Sequence, residues 1–161
     1  MAEFDLNINT ELARKILTAF ISDELQRHGF NKVVLGLSGG IDSALACYLA
    51  AEALGAENVL ALRLPYRESS PASLEHAQLV IDDLGVQAKT IDISEIVDPY
   101  IEDYPDMDKV RKGNLMARAR MMVQYDHSEI FDALVLGTGN KTEILLGYST
   151  IFGDGAYALN P

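Results

Sequence analysis

Apolar residues recur along this chain in two rhythms, and together they predict a regular succession of helices and strands. From Asn9 or Thr10, either of which can cap a helix, Ala13, Leu17, Ile21 and Leu25 return at every fourth position, with Ile16 and Phe20 beside them. Arg14, Asp23, Glu24 and Arg27 fall on the polar side, so the spacing predicts an amphipathic helix that covers a sheet and stops at Gly29. Lys32-Val33-Val34-Leu35 reads as a buried strand. It runs through a glycine-rich turn into a second helix that starts at about Ile41, carries Ala46, Leu49, Ala50, Ala53 and Leu54, and stops at Gly55. Asn58 to Leu64 is almost continuously apolar, as a strand covered on both faces is, and Pro65 ends it. Ser70-Pro71 opens a third helix with Leu74, Ala77, Gln78, Ile81 and Leu84, closed by Gly85, and Val86 to Ile93 reads as a third strand.

Asp98 to Asp106 is the least regular stretch, expected as a short helix and a loop. Asp106 or Asp108 then caps a long helix, roughly Lys109 to Asp126. On it Arg111, Asn114, Leu115 and Arg118 share a face, which on composition alone is a solvated stripe. Asp132 to Gly137 reads as a fourth strand, Thr138 to Glu143 as the turn into a helix stopping near Gly147, and Gly153-Asp154-Gly155-Ala156 as a loop. Strand and helix alternating at short spacing imply right-handed crossovers and a parallel sheet, hence an α/β, doubly wound fold. Four strands with the last helix barely begun read as an unfinished sheet: one domain over residues 1–161, expected to lack its last strand and closing helices.

Composition narrows the function classes. At 48% hydrophobic and 23% charged, the chain buries a sizeable core and is not disordered. A net charge of −11 disfavours polyanionic partners, so no nucleic acid is expected. Cys47 is the single cysteine, which excludes a disulfide framework or a Cys-rich metal site within one chain and leaves it a small core hydrophobe. The first residues carry no basic region or long apolar segment, and no stretch is of membrane-spanning length, so the expectation is a cytoplasmic protein without a membrane partner. His28, His76 and His127 fall on helices or their ends with no motif around them and are expected at the surface.

The candidate chemistry lies at two glycine-marked strand ends. In Gly36-Leu37-Ser38-Gly39-Gly40-Ile41-Asp42-Ser43 the turn points backbone N–H groups outward beside the positive end of a helix, which suits a phosphate. It is not the Walker pattern, because no Gly-Lys-Ser/Thr follows. The plainer reading is an ordinary turn capped by Ser38. Gly137-Thr138-Gly139 ends the fourth strand. Ligands of open parallel sheets bind beyond the carboxyl ends of the strands where strand order reverses. If the two strands are neighbours, Asp42 and Glu143 border one crevice from the first turns of two helices, and two carboxylates around a triphosphate suit Mg²⁺. No side-chain nucleophile and base stand together in the sequence, so catalysis is expected to be positioning and charge neutralisation.

Ser38-Gly39-Gly40-Ile41-Asp42-Ser43 resembles the pyrophosphate loop of the N-type ATP pyrophosphatases. Within that superfamily, Lys112 to Met121, Leu136 to Glu143, and Gly147-Tyr148-Ser149-Thr150 with Gly153-Asp154-Gly155 look like NAD synthetase, in order along nearly all of the chain from Asn9 to Pro161. The resemblance implies an adenine nucleotide alpha hydrolase-like, Rossmann-like fold. It assigns Gly36, Leu37, Ser38, Gly39, Gly40, Ile41, Asp42 and Ser43 to ATP, with Thr138 and Arg63 as further ATP contacts, and gives Asp42 and Glu143 to Mg²⁺. It assigns Arg118 to deamido-NAD, against the solvated-stripe reading, and sets Asp154 near the ammonia site. The implied reaction adenylates the nicotinic acid carboxylate of deamido-NAD with release of pyrophosphate; ammonia then displaces AMP to give NAD. A homodimer is implied, and free ammonia as the nitrogen donor, since no amidase-like domain precedes.

Two positions depart from the family pattern: Ile151 stands where a lysine is usual, and Ala158 where an aspartate is usual, both contacts to deamido-NAD in typical members. The alternatives are another N-type ATP pyrophosphatase, or an ATP-binding module without synthetase activity. A tRNA-thiolating member would more usually carry extra cysteines and a basic surface, which this chain lacks.

Overall fold

Helices and strands alternate along residues 7–161, the part of the chain that the computed structural model describes. In order they are α1 Thr10–Arg27, β1 Val33–Gly36, α2 Ile41–Leu54, β2 Val59–Arg63, α3 Pro71–Leu84, β3 Gln87–Thr90, α4 Ser94–Glu102, α5 Lys109–Phe131, β4 Leu134–Val135 and α6 Lys141–Leu146. The strands are parallel in the order β3-β2-β1-β4. The chain therefore steps one way from β1 to β3 and returns to the far side of β1 for β4. Leu35 pairs with Ala61 and Val34 with Val135, and a parallel bridge from Leu136 to Leu159 brings the last residues beside β4. This is the doubly wound α/β sheet that the alternation predicts.

Side chains of β1 point alternately to two cores, as the pleat requires. Val33 and Leu35 meet Ile21, Leu25, Ala46, Cys47 and Ala77 from α1, α2 and α3. Val34 meets Ile93, Val97, Ala119 and Val123 on the α4 and α5 side. Because β1 is covered on both faces, the turn that follows it starts from an immobile support.

Helix ends follow local chemistry. The Asn9 side chain accepts from the Leu12 N–H at 3.0 Å, and Asp108 accepts from Arg111 at 2.8 Å. Gly85 takes the left-handed conformation that closes α3. Other expectations are corrected. α1 packs mainly against α2 and reaches the β1 core through buried Ile21 and Leu25, while Ile16 stays 57% exposed. The short helix and loop expected over Asp98 to Asp106 are present, but the helix starts earlier, as α4: the Ser94 N–H donates to Asp92 at 2.7 Å, buried Ile93 and Val97 anchor it, and Pro99 inside it forgoes one backbone bond. α5 runs on to Phe131 because Ala119, Val123 and His127 keep one buried face in step. Asp132, in a left-handed conformation, then turns the chain into a strand shorter than expected.

His127 is the correction among the histidines. It is 8% exposed, its Nδ1 donates to the Val123 carbonyl at 3.0 Å, and its Nε2 accepts from the Lys89 ammonium at 3.2 Å. His28 and His76 are exposed as expected.

Cys47 is fully buried, and burial pushes its thiol up to about 11. Iodoacetamide at pH 8 is expected to leave the native thiol unlabelled and to alkylate it stoichiometrically in urea, read by mass spectrometry; rapid native labelling would contradict the burial. Stability should also fall as pH rises from the ordinary 9.0 toward about 11, since there the unfolded chain gives up the thiol proton and the folded chain does not. Among the described residues, no helix is long and apolar enough to cross a membrane.

Candidate functional site

A cleft of about 520 Å³ opens at the carboxyl ends of β2, β1 and β4. One wall is the turn after β1. The Leu37 N–H donates to Leu62 O at 2.8 Å, prolonging the strand pairing. Beyond it, two hydroxyls hold the turn in shape. Ser43 Oγ lies 3.0 Å from Ser38 Oγ, accepts from the Ser38 N–H at 3.2 Å and donates to Gly40 O at 3.0 Å, while Ser38 Oγ accepts from the Gly40 N–H at 3.2 Å. Gly39, at φ +83°, passes so close to α3 that a Cβ would stand 2.1 Å from the Ser73 carbonyl oxygen. Ser38 does not cap α2, as the plainer reading of the turn would have it. Gly40 is the N-cap and supplies no side-chain acceptor, so the helix presents its first N–H groups to the turn.

The opposite wall follows β4. Asn140 caps α6 in a reciprocal box: its Oδ1 accepts from the Glu143 N–H and Glu143 Oε2 accepts from the Asn140 N–H, both at 3.0 Å. A Cβ on Gly137 would fall 2.5 Å from Asn160 Oδ1 and 2.7 Å from the Tyr157 ring, so this turn too is closed to side chains. Since β1 and β4 are neighbours, both turns border one cleft. The third wall is the segment between β2 and α3, which α4 tethers. Tyr66 donates its hydroxyl to Asp98 at 2.9 Å, Arg67 pairs with the same carboxylate, and the Arg67 N–H donates to Ser94 Oγ at 2.9 Å.

Of the residues singled out from the sequence, Gly36, Leu37, Ser38, Gly40, Asp42, Ser43, Thr138, Glu143 and Asp154 line this cleft. Asp154 sits on its rim, with one oxygen accepting from the Thr150 N–H at 2.8 Å. Gly39 faces the Ser73 carbonyl of α3 and does not line the cleft, and Ile41 is 80% exposed. Arg63 does not enter the cleft. It leaves β2 on the α3 side, where Nη1 donates to Gln78 Oε1 at 2.5 Å and Nε is buried without a partner. Arg118 is exposed beside the cleft, its Nε donating to the Ile151 carbonyl at 3.3 Å. The face it shares is not a solvated stripe: Asn114 accepts from Thr150 Oγ1 at 2.7 Å, and Leu115 packs against the core on the α4 and α5 side.

Arg120 and Gln124 also line the cleft, and the sequence reading passed over both. With Ala117 they fall at i, i+3 and i+7 of α5, one stripe round from the Arg118 face, and both stripes mix polar with apolar residues. Burial draws the Arg120 guanidinium below its usual value, although it stays charged at neutral pH.

The donor set suits a hard cation only in company. Among the described residues no three or more His, Cys, Asp or Glu gather as a metal site. The Asp42 carboxylate makes no hydrogen bond or ion pair among the described residues, and Glu143 has one oxygen engaged in its cap. Two carboxylates flanking a glycine turn would leave the remaining ligand positions to phosphate and water oxygens, which is how Mg²⁺ is usually held.

A hydroxyl-clasped glycine turn feeding a helix N-terminus, at the point where a doubly wound parallel sheet reverses its strand order, defines the α/β proteins that bind phosphorylated ligands there. The NAD synthase family matches residues 13–161, and the chain belongs to it. It is 57% identical over 156 residues to the NH(3)-dependent NAD(+) synthetase of Trichlorobacter lovleyi, covering 97% of this chain and 57% of that protein. Among solved structures, the NH3-dependent NAD synthetase of Campylobacter jejuni, in complex with the nitrate ion, superposes with a TM-score of 0.91 at 42% identity, over 96% of this chain and 67% of that one. The NMN synthetase of Francisella tularensis superposes at 0.89 and 33% identity, over 96% and 65%. The chain thus spans little more than half the length of the first of these relatives.

Proposed function

We propose that this protein is an ammonia-dependent NAD synthetase, using ATP to amidate deamido-NAD. Relatives at 50–57% identity bear that name. The single observation that carries the reading is the cleft that brings the clasped Gly36–Ser43 turn opposite Thr138 and Glu143, with the Asp42 carboxylate unpartnered between them.

In this reading the turn N–H groups and the α2 dipole take the terminal phosphates of ATP, and Thr138 hydrogen-bonds the nucleotide from the facing wall. Asp42 and Glu143 would hold Mg²⁺, which when bound supplies positive charge to the departing pyrophosphate. The nicotinate carboxylate oxygen attacks the α-phosphorus, a P–O bond forms, and the bond to the β-phosphate oxygen breaks with its electron pair leaving on pyrophosphate. Ammonia then attacks the activated carbonyl carbon and AMP leaves. Asp154, exposed on the rim loop, stands by the ammonia and accepts a proton. Arg118, beside the same loop, faces deamido-NAD. A nucleotide contact from Arg63 belongs to the reading only through a rotamer change away from Gln78. The same reading makes residues 1–161 part of one synthetase domain, in a cytoplasmic homodimer.

A second reading has a specific observation behind it. Ile151 and Ala158 remove a cation and an anion that typical family members use on the dinucleotide, which favours a smaller acid such as nicotinate mononucleotide, or an ATP-binding module with no amidation at all. One assay separates the three: ATP, Mg²⁺ and ammonia with either acid, following pyrophosphate and the amide product. Release of NAD and pyrophosphate together supports the synthetase; turnover of the mononucleotide alone supports the second reading; ATP binding without turnover supports the module and overturns the synthetase for this chain.

A further inference from the structure

We infer that Arg120, with Gln124 one turn further along α5, is the binding site for the α-phosphate of the nucleotide, an inference that rests on the ATP reading of the cleft. Arg120 Nε donates to the Leu64 carbonyl at 2.9 Å. Its two terminal nitrogens have no hydrogen-bond partner, and no carboxylate lies within ion-pair distance among the described residues. Arg14, Arg27 and Arg67 each find a carboxylate, Arg63 donates from a terminal nitrogen to Gln78, and Arg111 and Arg118 are exposed, whereas Arg120 lines the cleft half-buried. A half-buried guanidinium gives up hydration and here recovers none of it from a counter-ion, so its charge is left for a ligand to neutralise. Gln124 adds a second free group: its amide lies over Gly36, where a Cβ would come within 3.0 Å of Nε2, and makes no hydrogen bond among the described residues.

Position decides which anion. The glycine turn takes phosphates at the end of β1, while Leu62, Leu64, Pro65 and Leu74 offer an apolar wall for a base beyond β2. Arg120 is fastened to Leu64 and Gln124 lies over the last residue of β1, so together they span the interval between base and terminal phosphates. The carboxylates Asp42, Glu143 and Asp154 belong to the other walls. The phosphate that crosses this interval is the one attached to the ribose. A planar guanidinium fork on its non-bridging oxygens is a strong charge-assisted contact, and it opposes the charge that builds as carboxylate oxygen joins phosphorus and pyrophosphate departs. No proton moves to or from the arginine.

Calorimetric titration with AMP and with inorganic pyrophosphate, separately, tests this on the folded chain. Arg120→Gln is expected to weaken AMP at least about 10-fold and pyrophosphate less than about 2-fold, with Arg120→Lys recovering part of the AMP affinity. Gln124→Met should weaken AMP about 3-fold on its own, and it carries the test if Arg120→Gln fails to give a wild-type circular dichroism spectrum. AMP affinity unchanged in both variants, or AMP and pyrophosphate weakened equally, overturns the assignment while leaving the ATP reading intact. Wild-type protein that binds neither AMP, pyrophosphate nor ATP overturns both.

Discussion

Gly39→Ala is expected to lower ATP affinity by about 100-fold and to destabilise the fold by about 1–3 kcal/mol. Two costs combine. At φ +83° a side chain strains the backbone by about 1 kcal/mol. The added carbon also meets the Ser73 carbonyl oxygen at 2.1 Å, and that oxygen belongs to the first turn of α3 and has no rotamer to yield with. The turn must therefore leave α3, breaking the Ser38–Ser43 clasp that holds its N–H groups in the shape proposed to take phosphate. Gly85→Ala is the control. At φ +67° it carries comparable strain with nothing within 4 Å, so it should cost about 1 kcal/mol and leave ATP binding unchanged. Urea denaturation and ATP titration of both variants give the comparison, and ATP binding by Gly39→Ala at the wild-type level would contradict the close approach.

Asp42→Asn should abolish Mg²⁺-dependent turnover, with a loss of at least about 100-fold, while the fold changes little. The carboxylate is exposed and unpartnered, so its structural contribution is limited to a favourable charge in the first turn of α2, about 0.3–1 kcal/mol. Glu143→Gln is expected to lose less, because the amide oxygen still accepts from the Asn140 N–H and keeps the α6 cap. Glu143→Ala loses both cap and ligand. Product formation against Mg²⁺ concentration, beside thermal melting curves, separates metal binding from folding; an Asp42→Asn enzyme with wild-type turnover would remove Asp42 from the metal site.

Much of this arrangement was legible in one dimension. Gly29, Gly55, Gly85 and Gly147 punctuate four helices where the chain alone put their ends, because a left-handed or unrestricted backbone at those points is a local property. Ser38 to Ser43 identified its own turn, since the clasp that holds it spans only five residues. His127 was misplaced for the opposite reason. A histidine on a helix looks solvated until Lys89, 38 positions away on the edge strand, is brought to its ring. Arg63 and Arg120 exchanged places in the same way. One sits at a strand end and looks poised for the cleft, yet the pleat turns it toward Gln78; the other sits in mid-helix and points in.

The sequence by itself determined the alternation of strands and helices, the glycine turn after β1, and the two carboxylates in helix first turns, because periodicity, glycine and capping chemistry act over a few residues. Only the tertiary structure decided that β4 lies beside β1, that both turns therefore share one cleft, and which face of α5 looks into it. Strand order and helix rotation are set by how two separate cores close on the sheet, which no local signal encodes.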